Sequence, residues 1–141
     1  MSHLLDTDHL TILAQQNGPE WTAIVGHINA VGQENVAASV VSFHEQILGC
    51  HNQLNQARKP TDLVRWYMLL AELLEMYAAL PLIPFDDAAA TTLAGLPGSL
   101  RIGKMDLRIA AIALSRNLIV VTRNVRDFGQ VPGLTIEDWT R

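Results

Sequence analysis

The chain has 141 residues, of which 49% are hydrophobic and 17% are charged, and its formal net charge is −4. This composition is typical of a soluble globular protein, and no apolar run approaches the roughly 18 residues that span a bilayer. The single cysteine, Cys50, excludes an intramolecular disulfide. We therefore expect one domain, residues 1–141, that lies in the cytoplasm and has no membrane partner.

The charged residues are unevenly distributed along the chain. Residues 1–57 contain no Lys or Arg. The segment 101–127 carries Arg101, Lys104, Arg108, Arg116, Arg123 and Arg126 against only Asp106 and Asp127. Because local potential decides where a polyanion docks, this asymmetry permits a basic rim around an acidic centre. The alternative interpretation is ordinary solvated surface charge.

Turn residues separate short apolar runs from helical patterns along the whole chain. We predict strands at 4–5, 36–41, 82–83, 118–122 and 134–136, and helices over 7–16, 20–31, 42–56, 62–79, from 86 or 87 to 96, and from 106. Short apolar strands between helices are typical of a parallel sheet covered on both faces. We therefore predict an α/β fold with a central parallel sheet of about four to five strands, flanked by helices on both faces.

The helix predicted over 62–79 has a wide apolar surface. The face defined by spacings of three and four residues comprises Leu63, Trp66, Tyr67, Leu70, Leu74 and Tyr77. Further apolar side chains extend this surface beyond what one core face requires. The excess predicts contact with another chain or, alternatively, a helix buried on two sides.

Carboxylates stand where the predicted strands end. Asp6 follows the first strand, and Glu45 lies one turn past the second. Asp106 opens the helix that leads into the strand at 118–122, and Asp127 follows that strand. The loops at the carboxyl ends of parallel strands converge on the ligand site. Because unneutralised carboxylates repel one another, we expect a cation among them, and all-oxygen ligands favour Mg²⁺ or Mn²⁺ over Zn²⁺.

Each of these acidic residues also has a purely structural interpretation. Ser42, Phe43, His44 and Glu45 satisfy the S-x-x-E capping box, in which the glutamate only occupies orphan helix N–H groups. Asp106 could be an N-cap, and Asp127 could be a turn residue. Spacing alone leaves these interpretations and a metal site open.

The opening motif Asp6-Thr7-Asp8 resembles the D-x-D motif of haloacid-dehalogenase-like phosphatases, in which an aspartate is the nucleophile. This resemblance fails after three residues. Leu10 stands where that family has Thr or Val, the acidic pair Asp86-Asp87 opens a helix, and Lys104 is not in the expected setting.

A second resemblance extends over essentially residues 3–139. The segments LLDTD, SVVSFHEQILG, DLRIAAIALSRNLIVVTRNVRDF and VPGLTIEDW occur in order and at the expected separations. Together they resemble the PIN-domain family, specifically its VapC-type toxins of type II toxin–antitoxin systems. The resemblance implies a single PIN-like domain that acts as an Mg²⁺- or Mn²⁺-dependent endoribonuclease on RNA. It also implies a homodimer and inhibition by a VapB-type antitoxin.

The resemblance assigns roles to the acidic residues. Asp6, Glu45 and Asp106 match the first three acidic positions of the family and are therefore candidate metal ligands. Either Asn124 or Asp127 could match the fourth position of the family. We include Asp127 among the four candidate catalytic residues. Their expected role is to hold one or two ions that activate a water for attack on the phosphodiester.

Other polar residues have auxiliary roles in this interpretation. Thr122 matches a hydroxyl that the family commonly has at the strand end. Asp8 stands where the family usually has Asn or Ser; it could add charge to the site, but we favour a cap of the first helix. Candidate RNA phosphate contacts are Lys104, Arg101, Arg123 and Arg126. The alternative function is a catalytically weak PIN-like module for protein interaction.

Overall fold

The computed structural model describes residues 1–141. The strands are β1 (His3–Leu5), β2 (Val36–Ser39), β3 (Leu82–Ile83), β4 (Ile119–Val121) and β5 (Ile136–Glu137). The helices are α1 (Thr7–Gln15), α2 (Pro19–Val31), α3 (Val40–Gln56), α4 (Pro60–Ala79), α5 (Asp87–Ala94), α6 (Lys104–Arg116) and α7 (Val125–Phe128), and a 3₁₀ turn (Gln33–Asn35) precedes β2. None of these helices is long and apolar enough to cross a membrane.

All five strands are parallel, in the order β3-β2-β1-β4-β5. In the centre of the sheet Leu5 lies between Ala38 of β2 and Val121 of β4. This arrangement confirms the predicted α/β class and the parallel sheet. The chain extends the sheet from β1 through β2 to β3 and then returns to add β4 on the other side of β1. The strand order therefore reverses between β1 and β4, where ligands bind in folds of this class.

A hydrophobic core lies on each face of the sheet. Successive residues of a strand point to opposite faces. Leu4 and Val120 accordingly pack with residues of α5 and α6, whereas Leu5 and Val121 pack with residues of α1, α2 and α4. Burial on both faces explains why the central strands are uninterrupted apolar runs.

The helix after β2 begins earlier than predicted. Its N-cap is Ser39, whose Oγ accepts a hydrogen bond from the N–H of Ser42 at 3.1 Å. The strand predicted over 36–41 therefore ends at Ser39, and the capping box from Ser42 to Glu45 is wrong. Valine at 40 and 41 favours a strand by propensity, but the buried cap places both residues in the first helical turn.

Two further predicted boundaries differ from the structure. Gly103 is the N-cap of α6, so Asp106 lies in its first turn and is not the cap. The last strand comprises Ile136–Glu137 and not 134–136, because Ile136 is the residue that pairs with Val120. Such an edge strand is defined by its pairing partner, which is remote in the sequence.

Helix α4 buries only part of the predicted face, including Tyr77, together with Leu73, which lies outside that face. Leu73 and Tyr77 are its buried residues, and Leu63, Tyr67 and Leu74 are exposed. Periodicity could not select the buried face because the helix is apolar around more than one face. The alternative of burial on two sides is wrong, since α4 leaves large apolar side chains in solvent.

We predict that Ser39→Ala lowers the free energy of unfolding by about 1 kcal/mol, because the N–H of Ser42 loses its acceptor at a fully buried helix start. Urea denaturation followed by circular dichroism measures the change. Ser99→Ala, at an exposed serine, is the matched control and leaves the stability unchanged. Equal stability of the two variants would contradict the cap at Ser39.

Candidate active site

Asp6 lies where β1 ends and α1 begins. Its backbone N–H donates to the carbonyl oxygen of Val121 at 2.9 Å, which continues the pairing of β1 with β4. Its Oδ1 accepts from the N–H of Thr7 at 2.7 Å as the N-cap of α1. Its Oδ2 accepts from Oγ1 of Thr122 at 2.8 Å. A carboxylate that is only 4% exposed is thus fixed at the point where the strand order reverses.

The surroundings of Asp6 oppose its negative charge. Burial is the main cause that raises its pKa to about 7, and repulsion from Asp8 and Asp106 adds to the effect. The hydrogen bonds from Thr122 and Thr7 lower the pKa but do not compensate. A nearby cation would therefore stabilise the charged form of Asp6.

Asn124 joins two of the other acidic residues. Its Nδ2 donates to Oδ2 of Asp127 at 3.1 Å and to Oδ2 of Asp106 at 3.4 Å. Its Oδ1 accepts from the N–H of Asp127 at 3.4 Å as the N-cap of α7, so Asp127 lies in a short helix and not in a turn. The two candidates for the fourth acidic position thus lie side by side, and only Asp127 adds a carboxylate.

Asp106 and Glu45 face the same crevice. Burial raises the pKa of Asp106, and repulsion from Glu45, Asp127 and Asp8 raises it further, whereas the hydrogen bond from Asn124 lowers it. Glu45 lies in the second turn of α3, and its Oε1 accepts from Oγ1 of Thr7 at 2.5 Å. The structure therefore brings together all four acidic residues singled out in the sequence.

Asp8 does not cap α1, because Asp6 occupies the N-cap position. Its carboxylate instead turns back towards β4, where Oδ2 accepts from the N–H of Arg123 at 3.0 Å and lies 3.3 Å from Oγ1 of Thr122. The cap that we favoured from the sequence is thus wrong. Asp8 adds a fifth carboxylate beside Asp6, which the D-x-D spacing alone could not distinguish from a cap.

The donor set of the crevice suits a hard divalent cation such as Mg²⁺ or Mn²⁺. All of its candidate side-chain ligands are carboxylates, and none of the four main candidates forms an ion pair with a basic residue. In this conformation no group of three or more His, Cys, Asp or Glu side chains is placed so that it could hold a metal ion. Uncompensated carboxylates repel one another, and a cation would draw them together.

The predicted phosphate contacts are all exposed residues, and only one of them forms an ion pair. Arg101 lies before α6, Lys104 begins it, and Arg126 lies in α7; none of them forms an ion pair. Arg123, in contrast, lies 3.5 Å from Glu20, measured from Nη1 to Oε2. Three of the four predicted contacts are thus free of acidic partners.

Two residues that hold the carboxylates were missed in the sequence. Thr7 donates to Glu45, and its position directly after Asp6 could have identified it. His9 is fully buried, and its Nδ1 lies 2.7 Å from Oδ1 of Asp8. No local signal marks His9, because its other hydrogen-bond partner is the N–H of Trp139 at the far end of the chain.

The chain is similar to curated VapC proteins over nearly its whole length. It is 28% identical to the tRNA(fMet)-specific endonuclease VapC of Salmonella typhimurium strain LT2, over 99% of this chain and 98% of that protein. It is 30% identical to the protein of the same name from Shigella flexneri, over 99% of each. No model of a protein family matches the chain.

Solved structures agree with these relatives. The structure of DNA-bound VapBC from Salmonella typhimurium superposes with a TM-score of 0.76 at 26% identity, and the match covers 99% of this chain and 98% of that chain. The five-stranded parallel sheet is thus shared with a solved VapC-containing complex.

We predict that Asp6→Asn stabilises the protein by about 1–3 kcal/mol in a chelator at pH 7.5, because asparagine is as good an N-cap and removes a buried charge. The folded-state pKa of Asp6, about 7, lies above its ordinary value of 3.8. The wild type therefore loses stability from this residue as the pH rises from 3.8 to 7, and the difference between the variants disappears near pH 3.8. Denaturant unfolding of both proteins between pH 3.8 and 7.5 measures the difference in their free energies of unfolding.

Asp86→Asn is the matched control for Asp6→Asn. Asp86 is also an N-cap, but its pKa is lowered by the hydrogen bond from the N–H of Ala89 and by Arg116, whose Nη2 lies 3.2 Å from Oδ2. Removal of this charge should destabilise the protein at pH 7.5. If Asp6→Asn destabilised the metal-free protein as much as Asp86→Asn, the charge repulsion at Asp6 would be disproved.

Proposed function

The chain belongs to the VapC family of PIN-domain toxins, and on this basis we propose that it is a divalent-metal-dependent endoribonuclease. It acts as a single PIN-like domain, residues 1–141, and cleaves RNA phosphodiester bonds. The observation that carries the proposal is the convergence of Asp6, Glu45, Asp106 and Asp127 on one crevice where the strand order reverses. No covalent intermediate on a protein nucleophile is needed.

The residues of the crevice divide into ligands and supports. Asp6 and Asp106, the two with raised pKa values, would hold the ion, with Glu45 and Asp127 as outer ligands or as groups that orient water. A bound Mg²⁺ or Mn²⁺ would activate a water and stabilise the leaving oxygen. Thr122 fixes Asp6 through its hydrogen bond, so that the carboxylate is oriented before substrate arrives.

The proposed substrate is RNA, and tRNA is the first class to test. The relatives from Salmonella and Shigella are named as tRNA(fMet)-specific endonucleases. The exposed side chains of Arg101, Lys104 and Arg126 have no acidic partners and are therefore free to bind phosphates. Arg123 is the weaker candidate because Glu20 already offsets its charge.

The proposed regulator is a VapB-type antitoxin. The solved complex from Salmonella typhimurium is a VapBC assembly. In this chain a groove of about 850 Å³ between α1, α3 and α4 adjoins the crevice, and Thr7 and Glu45 line both. Trp66 and Leu69 add apolar surface to the groove, which suits an apolar segment of a partner protein. The homodimer implied by the family resemblance stays a prediction.

We predict that the purified wild type cleaves tRNA with Mg²⁺ or Mn²⁺ but not with a chelator, and that Asp106→Asn reduces cleavage at least about 100-fold because a central ligand is lost. Denaturing gels of a time course measure the rates. Asp62→Asn, at an exposed acidic residue of α4, is the control and cleaves like the wild type. A folded, partner-free wild type that cleaves no RNA with either metal would favour the alternative of an interaction module.

We predict that Lys104→Ala weakens tRNA binding by a similar factor for different sequences and reduces the slope of log affinity against log salt by about 1. Fluorescence anisotropy in an Asp106→Asn background measures binding without cleavage. Lys59→Ala is the control, since Lys59 is exposed and precedes α4 without a side-chain cap bond. The same affinity and salt slope in both variants would remove Lys104 from the RNA-binding surface.

A further inference from the structure

Asp8 is held in place through both of its carboxylate oxygens. Oδ1 lies 2.7 Å from Nδ1 of His9, and Oδ2 accepts from the N–H of Arg123 at 3.0 Å with Oγ1 of Thr122 at 3.3 Å. The side chain is 31% exposed and could otherwise turn into solvent, away from the repulsion of Asp6. The hydrogen bonds therefore hold the negative charge of Asp8 close to Asp6, although electrostatic repulsion favours its turning into solvent.

The donor role of His9 is fixed by the end of the chain. The ring is fully buried, and its Nε2 lies 3.2 Å from the backbone N–H of Trp139, which can only donate. Nε2 must therefore carry the lone pair, and in the neutral ring the proton is on Nδ1, directed at Asp8. The hydrogen bond from the N–H of Trp139 thus makes His9 the donor in its hydrogen bond to Asp8.

Trp139 is itself firmly placed. Its side chain is buried, and its Nε1 donates to Oε2 of Glu137 at 2.7 Å. The ring stacks on His27 with the centroids 5.2 Å apart and the planes 7° from parallel. The backbone N–H that faces His9 therefore has a fixed position after β5.

We propose that His9 is a positioning residue that holds the Asp8 carboxylate at the acidic crevice, so that five carboxylates act on a bound divalent ion. The inference rests on the proposed function of the crevice. Repulsion from Asp8 contributes to the raised pKa of both Asp6 and Asp106. The charge of Asp8 therefore acts on the two residues that would hold the ion. Such outer residues commonly change metal affinity by about 10-fold to 100-fold.

The alternative role for His9 is that of a buried core residue, and two substitutions separate the roles. In His9→Asn the amide nitrogen takes the place of Nδ1, so the bond to Asp8 is kept and the acceptor for Trp139 is lost. In His9→Gln the amide oxygen takes the place of Nε2, so the acceptor for Trp139 is kept and the bond to Asp8 is lost. Asp8→Asn removes the charge without a change in the core.

The experiment is a calorimetric titration of the full chain with Mn²⁺ alone, and thermal unfolding of each variant reports its stability. We expect Asp8→Asn and His9→Gln to raise the Kd for Mn²⁺ about 10-fold or more. His9→Asn should stay within about threefold of the wild type, even if its Tm falls. In an Asp8→Asn background, His9→Gln should weaken binding no further, because both changes remove the same contribution.

Three results overturn the inference, and they are distinguishable. If the wild type binds Mn²⁺ and Asp8→Asn or His9→Gln binds it equally well, His9 has no positioning role but the proposed function stands. If the wild type binds neither Mn²⁺ nor Mg²⁺, the proposed function and this inference both fail. A His9→Asn protein that binds as weakly as His9→Gln would show that His9 acts only through the core.

Discussion

The parallel pairing of β1 with β4 is the constraint on which the rest of the structure depends. Leu5 pairs with Val121, which lies 116 residues later in the chain. The pairing continues through the N–H of Asp6, which donates to the carbonyl oxygen of Val121. It places Asp6 beside Thr122, and from there Asn124 connects to Asp106 and Asp127. Because the strand order reverses here, no other strand blocks the crevice above these residues.

The same pairing brings carboxylates together at a position where their mutual repulsion lowers the stability of the fold. A buried carboxylate with other carboxylates nearby costs stability unless hydrogen bonds or a cation offset it. Thr7, Thr122 and the N–H of Arg123 supply hydrogen bonds, yet the pKa of Asp6 remains well above its ordinary value. The two hydrophobic cores on either side of the sheet supply the stability that lets this arrangement persist. The excess charge is the feature on which the proposed metal site rests.

Polar contacts between distant parts of the chain also make the crevice sensitive to residues outside it. His9 links Asp8 to the backbone of Trp139, and Thr7 links the start of α1 to Glu45 on α3. Each link joins an acidic residue to an element that also packs in a hydrophobic core. The orientation of the carboxylates therefore depends on packing behind the sheet as well as on the strand ends, as is common around metal sites.

The sequence by itself determined the fold class, the approximate positions of most helices and strands, and the four acidic residues at the strand ends. Apolar runs and turn residues are local signals, and so is the position of a carboxylate after a strand. Only the tertiary structure decided that Ser39 caps α3, that Asp8 faces the crevice, that α4 buries Leu73 and exposes Leu74, and that His9 contacts Asp8. Each of these depends on a partner far along the chain or on a choice between faces of similar hydrophobicity, which local sequence does not encode.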